Sequence, residues 1–225
     1  LPLLPLHAST QLSIHSPASL PLLKSLGFKQ VVVAREMSLE NLTEFCKVAK
    51  QYDITVEVFV HGALCMSVSG QCLLSAFLGS RSGNRGLCAG PCRLPFAAEN
   101  GTGYDLSLKD LSLIDYIPTL YNIGVRSFKI EGRMKRPEYV AAATKACKDA
   151  LINGSADLAL KETLKNVFSR SGFTSGYLEN KLGRDMFGIR TKEDVTAAKD
   201  AFPILHELYR KEYKSTALNI TASIK

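Results

Sequence analysis

The sequence of 225 residues lacks tryptophan and contains only four histidines, so it offers few imidazole groups for catalysis. No apolar run approaches the roughly 18–20 residues that a membrane-spanning helix needs, so we expect no membrane span. Two hydrolase signatures, Gly-x-Ser-x-Gly and His-Glu-x-x-His, are also absent. The chain does contain 46% hydrophobic and 22% charged residues. That balance excludes a disordered tail, a collagen-like fibre and a coiled coil.

Positive charge is in modest excess, with 28 lysines and arginines against 21 aspartates and glutamates and a formal net charge of +7. Such an excess can simply keep a protein in solution. It also suits contact with an anion, such as RNA phosphates or an acidic small molecule. Charge alone leaves both interpretations open.

Four short runs rich in β-branched and aromatic residues predict β-strands. They lie at residues 10–15, 30–34, 54–60 and 125–130. Helical patterns separate most of them, which predicts repeated β-α units and a parallel sheet, and hence the α/β class.

Three apolar patterns predict helices. One begins after Ser38, which can cap it, and another has Pro137 in its first turn and Gly154 just past its end. A third stripe, at residues 108–121, contains Pro118 and predicts a helix that kinks or splits.

The spacing of these elements predicts the organisation of the chain. More than 60 residues separate the strand at 54–60 from the one at 125–130, which predicts a cysteine- and glycine-rich insertion at residues 61–104. Insertions after parallel strands are where α/β folds place their chemistry. We predict one unit over residues 1–155 and a mostly helical extension over residues 156–225 that leads into a further region. Because the first residue is Leu1 rather than methionine, we expect a piece of a longer protein.

The six cysteines fall into two groups. Cys46 and Cys147 lie on apolar helix faces and are expected to be small core residues. The other four lie within 28 residues of loop-like sequence after a predicted strand: Cys65, Cys72, Cys88 and Cys92.

Three interpretations of those four cysteines remain open. Disulfides would need an oxidising compartment, which nothing in the sequence indicates. Structural zinc usually takes tight Cys-x-x-Cys pairs, whereas the intervals here are six, fifteen and three residues. An iron–sulfur cluster tolerates irregular spacing, and the glycines around the cysteines would let the backbone wrap closely around it.

Several sequence blocks resemble the U-32 (collagenase-like) peptidase family. Residues 57–65 (Glu-Val-Phe-Val-His-Gly-Ala-Leu-Cys) and 69–75 (Ser-Gly-Gln-Cys-Leu-Leu-Ser) are similar to its signature. Further blocks follow in the usual order at residues 7–11, 35–36, 81–88, 129–135, 173–176 and 183–188. The resemblance covers residues 7–188.

The resemblance implies a fold. The N-terminal region of the family is a TIM-like (β/α) barrel, and the four predicted strands resemble its C-terminal half. The first strands would then be missing from this chain, and an unpaired edge could pair with a second copy to form a homodimer.

The resemblance also implies an activity. The family name implies proteolysis, but better understood members are oxygen-independent hydroxylases of ribosomal RNA bases, transfer RNA bases or a ubiquinone precursor. They use a four-cysteine iron–sulfur (4Fe-4S) cluster, whose ligands carry over to Cys65, Cys72, Cys88 and Cys92. The sequence beyond Gly188 resembles the branch that hydroxylates a cytidine of 23S ribosomal RNA, and the resemblance suggests prephenate as the donor.

Six further residues are candidates for the site: His61 and Glu131 for catalysis, and Gln11, Arg35, Lys129 and Arg133 for substrate or anion binding. A strand would direct residues 129, 131 and 133 to one side, where a Glu between two cations suits an anionic ligand or a plain ion-pair patch. His61 follows the same strand as Cys65, so it is a candidate Cys/His partner, a hydrogen-bond donor behind the site or an ordinary strand-end residue.

We therefore predict a cytoplasmic, iron–sulfur-dependent enzyme that hydroxylates an RNA base. Zinc is the alternative metal. Because the chain is expected to be a piece of a longer protein, its site can also be empty of metal. A collagenase-like peptidase of unknown catalytic type and a metal-stabilised module that binds RNA or a protein partner are the alternative functions.

Overall fold

A computed structural model describes residues 4–68, 71–132 and 135–208. Among these residues, the strands are β1 (Leu6–Ala8), β2 (Phe28–Val32), β3 (Thr55–Ala63), β4 (Asp110–Ser112), β5 (Ser127–Ile130) and β6 (Phe173–Thr174). The helices are α1 (Leu20–Ser25), α2 (Leu39–Gln51), α3 (Leu74–Gly79), α4 (Ile117–Ile123), α5 (Pro137–Asn153), α6 (Leu158–Val167) and α7 (Lys192–His206). The predicted α/β class is confirmed.

The sheet is built around β3, whose nine residues are long enough to pair with three strands. β2 and β5 run parallel to it, and β1 runs parallel to β2. β4 pairs antiparallel with the last residues of β3, and β6 pairs parallel with β4. The sheet is therefore mixed rather than wholly parallel as predicted.

The predicted helices at Ser38 and Pro137 are confirmed. The Ser38 hydroxyl accepts a hydrogen bond from the Asn41 backbone N–H at the start of α2, and Gly154 ends α5 with a φ of 80°. The buried face of α5 is made largely of alanines: Ala142, Ala143, Ala146 and Ala150. These small side chains allow close packing against neighbouring elements.

Two local predictions were wrong. Residues 10–15 do not form a strand, because the chain makes a tight 3-10 turn at Thr10–Leu12 after the short β1. Residues 108–121 do not form a kinked or split helix, because β4 and a 3-10 turn at Ile114–Tyr116 precede α4. Pro118 lies in the first turn of α4, where a missing backbone N–H costs nothing.

The predicted extension takes part in the same sheet, since β6 pairs with β4. α6 and α7 pack against each other and against α5. Among the residues that the structure describes, no helix combines the length and the apolar character required to cross a membrane.

Candidate active site

The candidate residues meet at one edge of the sheet because three parallel strands end there. Arg35 follows β2, Cys65 follows β3 and Glu131 follows β5. The carboxyl ends of parallel strands are the usual place for ligand sites in α/β folds.

Two of the predicted anion-binding residues stack on Phe59 of β3. The Arg35 guanidinium lies 3.9 Å from the centre of the Phe59 ring, and the Lys129 ammonium lies 5.4 Å from it. Arg35 also forms a 3.6 Å ion pair with Glu131. The structure therefore brings Arg35, Lys129 and Glu131 together on one face, while Arg133 lies outside the described residues.

Glu57, which sequence reasoning missed, holds Lys129 in place. Its buried carboxylate accepts hydrogen bonds from Lys129 at 2.7 Å, Ser127 at 2.7 Å and Gln30 at 2.6 Å. Burial raises the pKa of Glu57, but the bonds from Lys129 and Ser127 outweigh burial, so the net pKa lies below its ordinary value.

Gly62 allows β3 and the residue after β5 to approach closely. Its φ is +133°, which L side chains rarely adopt, and a Cβ placed there would lie 2.5 Å from Glu131 Cβ. The Glu131 backbone N–H donates to the His61 carbonyl at 2.9 Å across this contact.

Three of the four clustered cysteines lie close enough for their charges to interact. Burial raises the pKa of the Cys65 thiol, and the neighbouring Cys92 and Cys72 thiols raise it further. Arg35 acts in the opposite direction, so this cation lies within electrostatic reach of the cysteine loop.

Hydrogen-bond donors point at the sulfurs of Cys72 and Cys88. The Leu74 N–H donates to Cys72 Sγ at 3.4 Å, and the Gly90 N–H donates to Cys88 Sγ at 3.3 Å. Ser75 adds a 3.6 Å hydroxyl contact to Cys88 Sγ.

These donors suit sulfur that carries negative charge, as in a metal-bound thiolate. All six cysteines are free thiols. Within the described ranges, no group of three or more histidine, cysteine or acidic side chains is arranged to hold a metal ion. The thiols thus fit a metal centre in their chemistry and surroundings, while their present arrangement does not form a closed site.

Arg93, a second residue that sequence reasoning missed, connects the cysteine segments. It follows Cys92, and its guanidinium donates to the Leu64 carbonyl next to Cys65. It also donates to the Leu108 carbonyl at 2.6 Å and to Ser107 Oγ at 3.3 Å. One side chain therefore ties Cys92 to the end of β3 and to the approach to β4.

His61 is enclosed by aromatic rings. It is fully buried, shares a 2.9 Å hydrogen bond between Nδ1 and the Tyr139 hydroxyl, and contacts Phe173 with ring centres 4.8 Å apart. Burial lowers the pKa of His61 to about 3, so the ring is neutral at physiological pH.

Asp110 is a buried carboxylate among cations. It is 1% exposed and forms an ion pair with Arg170. Burial raises the pKa of Asp110, against the opposing effects of Arg170, Arg93 and Lys135. Sequence reasoning missed this group because its members come from distant segments.

Gln11 links the first turn to the cysteine loop. Its side-chain amide donates to the Asn84 backbone carbonyl at 2.7 Å. Its backbone carbonyl accepts from the Gln71 side-chain amide at 3.2 Å. Both of these contacts connect Gln11 with the loop that carries the cysteines.

The predicted core cysteines are confirmed. Cys46 and Cys147 are 4% and 8% exposed, and burial raises their pKa to about 11 and about 12. A separate groove of about 310 Å³ is lined by residues of β4, α6 and β6, and its lining contains no cysteine.

Comparison with known proteins places the chain in a family. A family model described as Peptidase family U32 matches residues 1–187. The chain therefore belongs to the U32 peptidase family, and the membership predicted from the motifs is confirmed.

Two proteins similar to this chain have names that refer to RNA modification. The 23S rRNA 5-hydroxycytidine C2501 synthase of Escherichia coli K12 is 40% identical over 169 residues, covering 71% of this chain and 25% of that protein. The tRNA hydroxylation protein P of the same organism is 31% identical over 235 residues, covering 79% of this chain and 51% of that protein.

A collagenase of Porphyromonas gingivalis is 34% identical over 201 residues, covering 79% of this chain and 48% of that protein. The chain spans between a quarter and about half of the length of these three relatives. A comparison with solved structures gave no significant match.

Proposed function

We propose that the protein is an iron–sulfur-dependent hydroxylase that modifies an RNA base without molecular oxygen, with a cytidine of 23S ribosomal RNA as the first candidate. The observation that carries the proposal is the cysteine loop beside Arg35 and Glu131 at the carboxyl end of β3. The names of the E. coli relatives support RNA as the substrate class, and the net charge of +7 suits a polyanion. An enzyme with such a substrate would act in the cytoplasm.

Cys65, Cys72, Cys88 and Cys92 would hold the cluster. When bound, the cluster would supply electrons or hold an oxygen donor. The N–H groups of Leu74 and Gly90 would stabilise charge on the sulfurs, as they already point at Cys72 and Cys88. Zinc on the same thiols is the alternative.

The chain's own cations would bind and orient an anion. Arg35 and Lys129 share the Phe59 surface, and Glu131 fixes Arg35 through their ion pair. Arg133 is proposed to bind the anion as well, and Gln11 is proposed to order the cysteine loop through its contacts with Asn84 and Gln71. Prephenate as the donor anion remains a proposal from the family resemblance.

His61 is proposed to position the end of β3 rather than to transfer protons. Its burial and its bond to Tyr139 support this role over a Cys/His pair with Cys65. Of the two residues that the sequence analysis predicted to be catalytic, Glu131 is the better placed to reach a substrate, because its side chain is 34% exposed.

The barrel and the dimer are also proposals. β2, β3 and β5 run parallel, as consecutive strands of a (β/α) barrel do. Among the described strands β1 pairs only with β2, so its outer edge is proposed to meet further strands or a second copy. Sedimentation of the purified chain would distinguish a monomer from a dimer.

Anaerobic purification of the full-length protein tests the cluster. We expect a broad brown visible absorbance and bound iron and sulfide, both lost in Cys72→Ala and Cys88→Ala. Cys46→Ala, which removes a core thiol, should keep both. A colourless wild-type protein that contains zinc instead would refute the cluster.

A peptidase is the second candidate, because the chain is 34% identical to a collagenase. Hydrolysis of gelatin or casein by the wild-type protein that survives Cys72→Ala and Cys88→Ala would favour this function. No hydrolysis of either protein by the wild type would leave the hydroxylase as the better account.

A further inference from the structure

The cysteine loop carries an exposed apolar face on α3, formed by Leu73, Phe77 and Leu78. These side chains are 61%, 84% and 64% exposed. Ser75, two residues before Phe77, is buried, and its hydroxyl contacts Cys88 Sγ at 3.6 Å. Because successive residues of a helix are about 100° apart, Ser75 and Phe77 lie on roughly opposite sides of α3. One side of α3 therefore packs toward the cysteines, and the other presents the Phe77 ring to the outside.

The charged residues of the surrounding segment all have the same sign. From residue 58 to residue 98 the sequence contains Arg81, Arg85 and Arg93 but no lysine, aspartate or glutamate, although the whole chain has 21 acidic residues. Arg93 donates to carbonyl groups of the chain, whereas the side chains of Arg81 and Arg85 are exposed. The charge of this segment is therefore complementary to an anionic partner and unsuited to a basic one.

Arg81 is fixed at the C-terminal end of α3. Its backbone N–H donates to the Ser75 carbonyl at 3.1 Å, and its side-chain Nε–H donates to the Leu87 carbonyl at 2.9 Å. These two bonds keep a guanidinium group close to the helix that carries the Phe77 ring.

Arg85 lies in a turn that packs on the cysteine segments. It ends a 3-10 turn that begins at Gly83. A Cβ added at Gly83 would lie 3.8 Å from both the Cys72 carbonyl oxygen and Cys88 Cβ. The ring, the two exposed arginines and the cysteines therefore belong to one compact part of the loop.

We propose that the α3 face binds single-stranded RNA, with an unpaired base stacked on the Phe77 ring and with Arg81 and Arg85 on the neighbouring phosphates. Aromatic rings stack with bases of any sequence, and the planar guanidinium group matches the geometry of a phosphate. The inference deepens the proposed function by assigning its RNA contact to α3, and it rests on that function for RNA as the partner.

An anionic lipid surface is the competing partner, because it also attracts apolar side chains flanked by arginines. The size of α3 favours RNA, since its six residues and three outward apolar side chains make a short face for a helix that lies in a membrane interface. The position of α3 favours RNA as well. A membrane on this face would cover the nearby thiols, whereas a strand of RNA that lies on α3 would bring its next bases toward them.

Two short RNA probes with the same phosphates test the inference: a fluorescent oligocytidine and an abasic counterpart that lacks the bases. Binding to the full-length protein is measured by fluorescence anisotropy at constant ionic strength. Phe77→Ala should weaken the binding of oligocytidine by about tenfold and leave the binding of the abasic probe unchanged, because only the bases stack. Phe77→Tyr, which keeps the ring, should bind both probes like the wild type.

Arg85→Gln should have a different effect, because it removes a phosphate contact. It should weaken both probes by a similar factor and reduce the salt dependence of binding, which Phe77→Ala should not change. Tyr121→Ala, at an exposed ring of α4, and Arg184→Gln, at an exposed arginine outside residues 58–98, are the matched controls. Both controls should bind like the wild type, and circular dichroism of every variant confirms folding.

Three results would overturn the inference: wild-type affinity of Phe77→Ala for oligocytidine, equal losses for both probes in that variant, or no binding of oligocytidine by the wild type. Vesicles that contain phosphatidylglycerol test the competing partner. If Phe77→Ala loses vesicle binding but keeps RNA binding, the face binds lipid and the inference is wrong.

RNA hydroxylation is measured separately, so that the two proposals can fail independently. Oligocytidine binding that depends on Phe77, without hydroxylation, would contradict only the proposed function. Hydroxylation by a protein whose RNA binding does not depend on Phe77 would contradict only this inference.

Discussion

At the scale of single residues, the site depends on side chains that fix other side chains. Glu57 holds Lys129, Glu131 holds Arg35, and Arg93 ties Cys92 to the end of β3. The cysteines and Arg35 were predictable because their types and spacing indicate chemistry. Glu57 and Arg93 were not, because their partners are distant in sequence and an isolated Glu or Arg carries no local signal.

Glu57→Gln should destabilise the protein at neutral pH by about 1–3 kcal/mol, because it leaves Lys129 without its charged partner. The folded-state pKa of Glu57 lies below its ordinary value of 4.5. The unfolded chain therefore takes up the proton first, so the contribution of Glu57 is full above that value and declines as the pH falls below it.

Urea unfolding at pH 7 and at pH 3 measures this effect. The difference in the free energy of unfolding between wild type and Glu57→Gln should be smaller at pH 3 than at pH 7. Glu44→Gln, at an exposed carboxylate of α2, should change stability by less than about 0.5 kcal/mol. A gap that is equal at both pH values would contradict the role given to Glu57.

Gly62→Ala should cost at least about 2 kcal/mol, since it combines a φ of +133° with a 2.5 Å approach to Glu131 Cβ. Gly27→Ala is the control, because Gly27 has a φ of +82° but no atom within 4 Å of an added Cβ. It should cost only about 1–2 kcal/mol of backbone strain. Thermal unfolding of both variants separates the cost of the close approach to Glu131 from the cost of backbone strain. Equal losses of stability in the two variants would show that the close approach costs nothing.

At the scale of helices and strands, the elements whose ends are marked by nearby residues were predictable from the sequence. α2 begins with a capping serine, and α5 has a proline in its first turn and a glycine after its end; each of these signals acts within a few residues. β1 and β4 have three residues each and exist only through pairing with β2 and β3. An apolar stripe that contains β4 and α4 therefore predicted one broken helix instead of two elements.

Ser38→Ala tests the cap of α2 and should lower stability by about 1 kcal/mol, because the Asn41 N–H loses its acceptor. Lys47→Ala, at an exposed position of the same helix, should be nearly neutral. Denaturant midpoints with unchanged slopes measure both effects. A neutral Ser38→Ala would show that the capping bond does not stabilise the helix.

At the scale of the whole molecule, the sequence predicted the α/β class and the family, while the sheet's mixed topology and the cation group around Asp110 emerged only in three dimensions. The insertion after β3 was predictable from its length and its cysteines. The convergence of Lys135, Arg170 and Arg93 on Asp110 was not, because four separate segments supply these residues. The cysteine loop could therefore be recognised from the sequence, whereas the neighbouring charged group around Asp110 could not.

The central claim is that the cysteine loop serves RNA hydroxylation, and mass spectrometry of 23S ribosomal RNA tests it most directly. Cells that lack the gene should lose a hydroxylated cytidine, and the full-length wild-type protein and Cys46→Ala should restore it. Cys72→Ala and Cys88→Ala should restore none. Unchanged RNA in the deletion strain, or full restoration by both loop variants, would contradict the account.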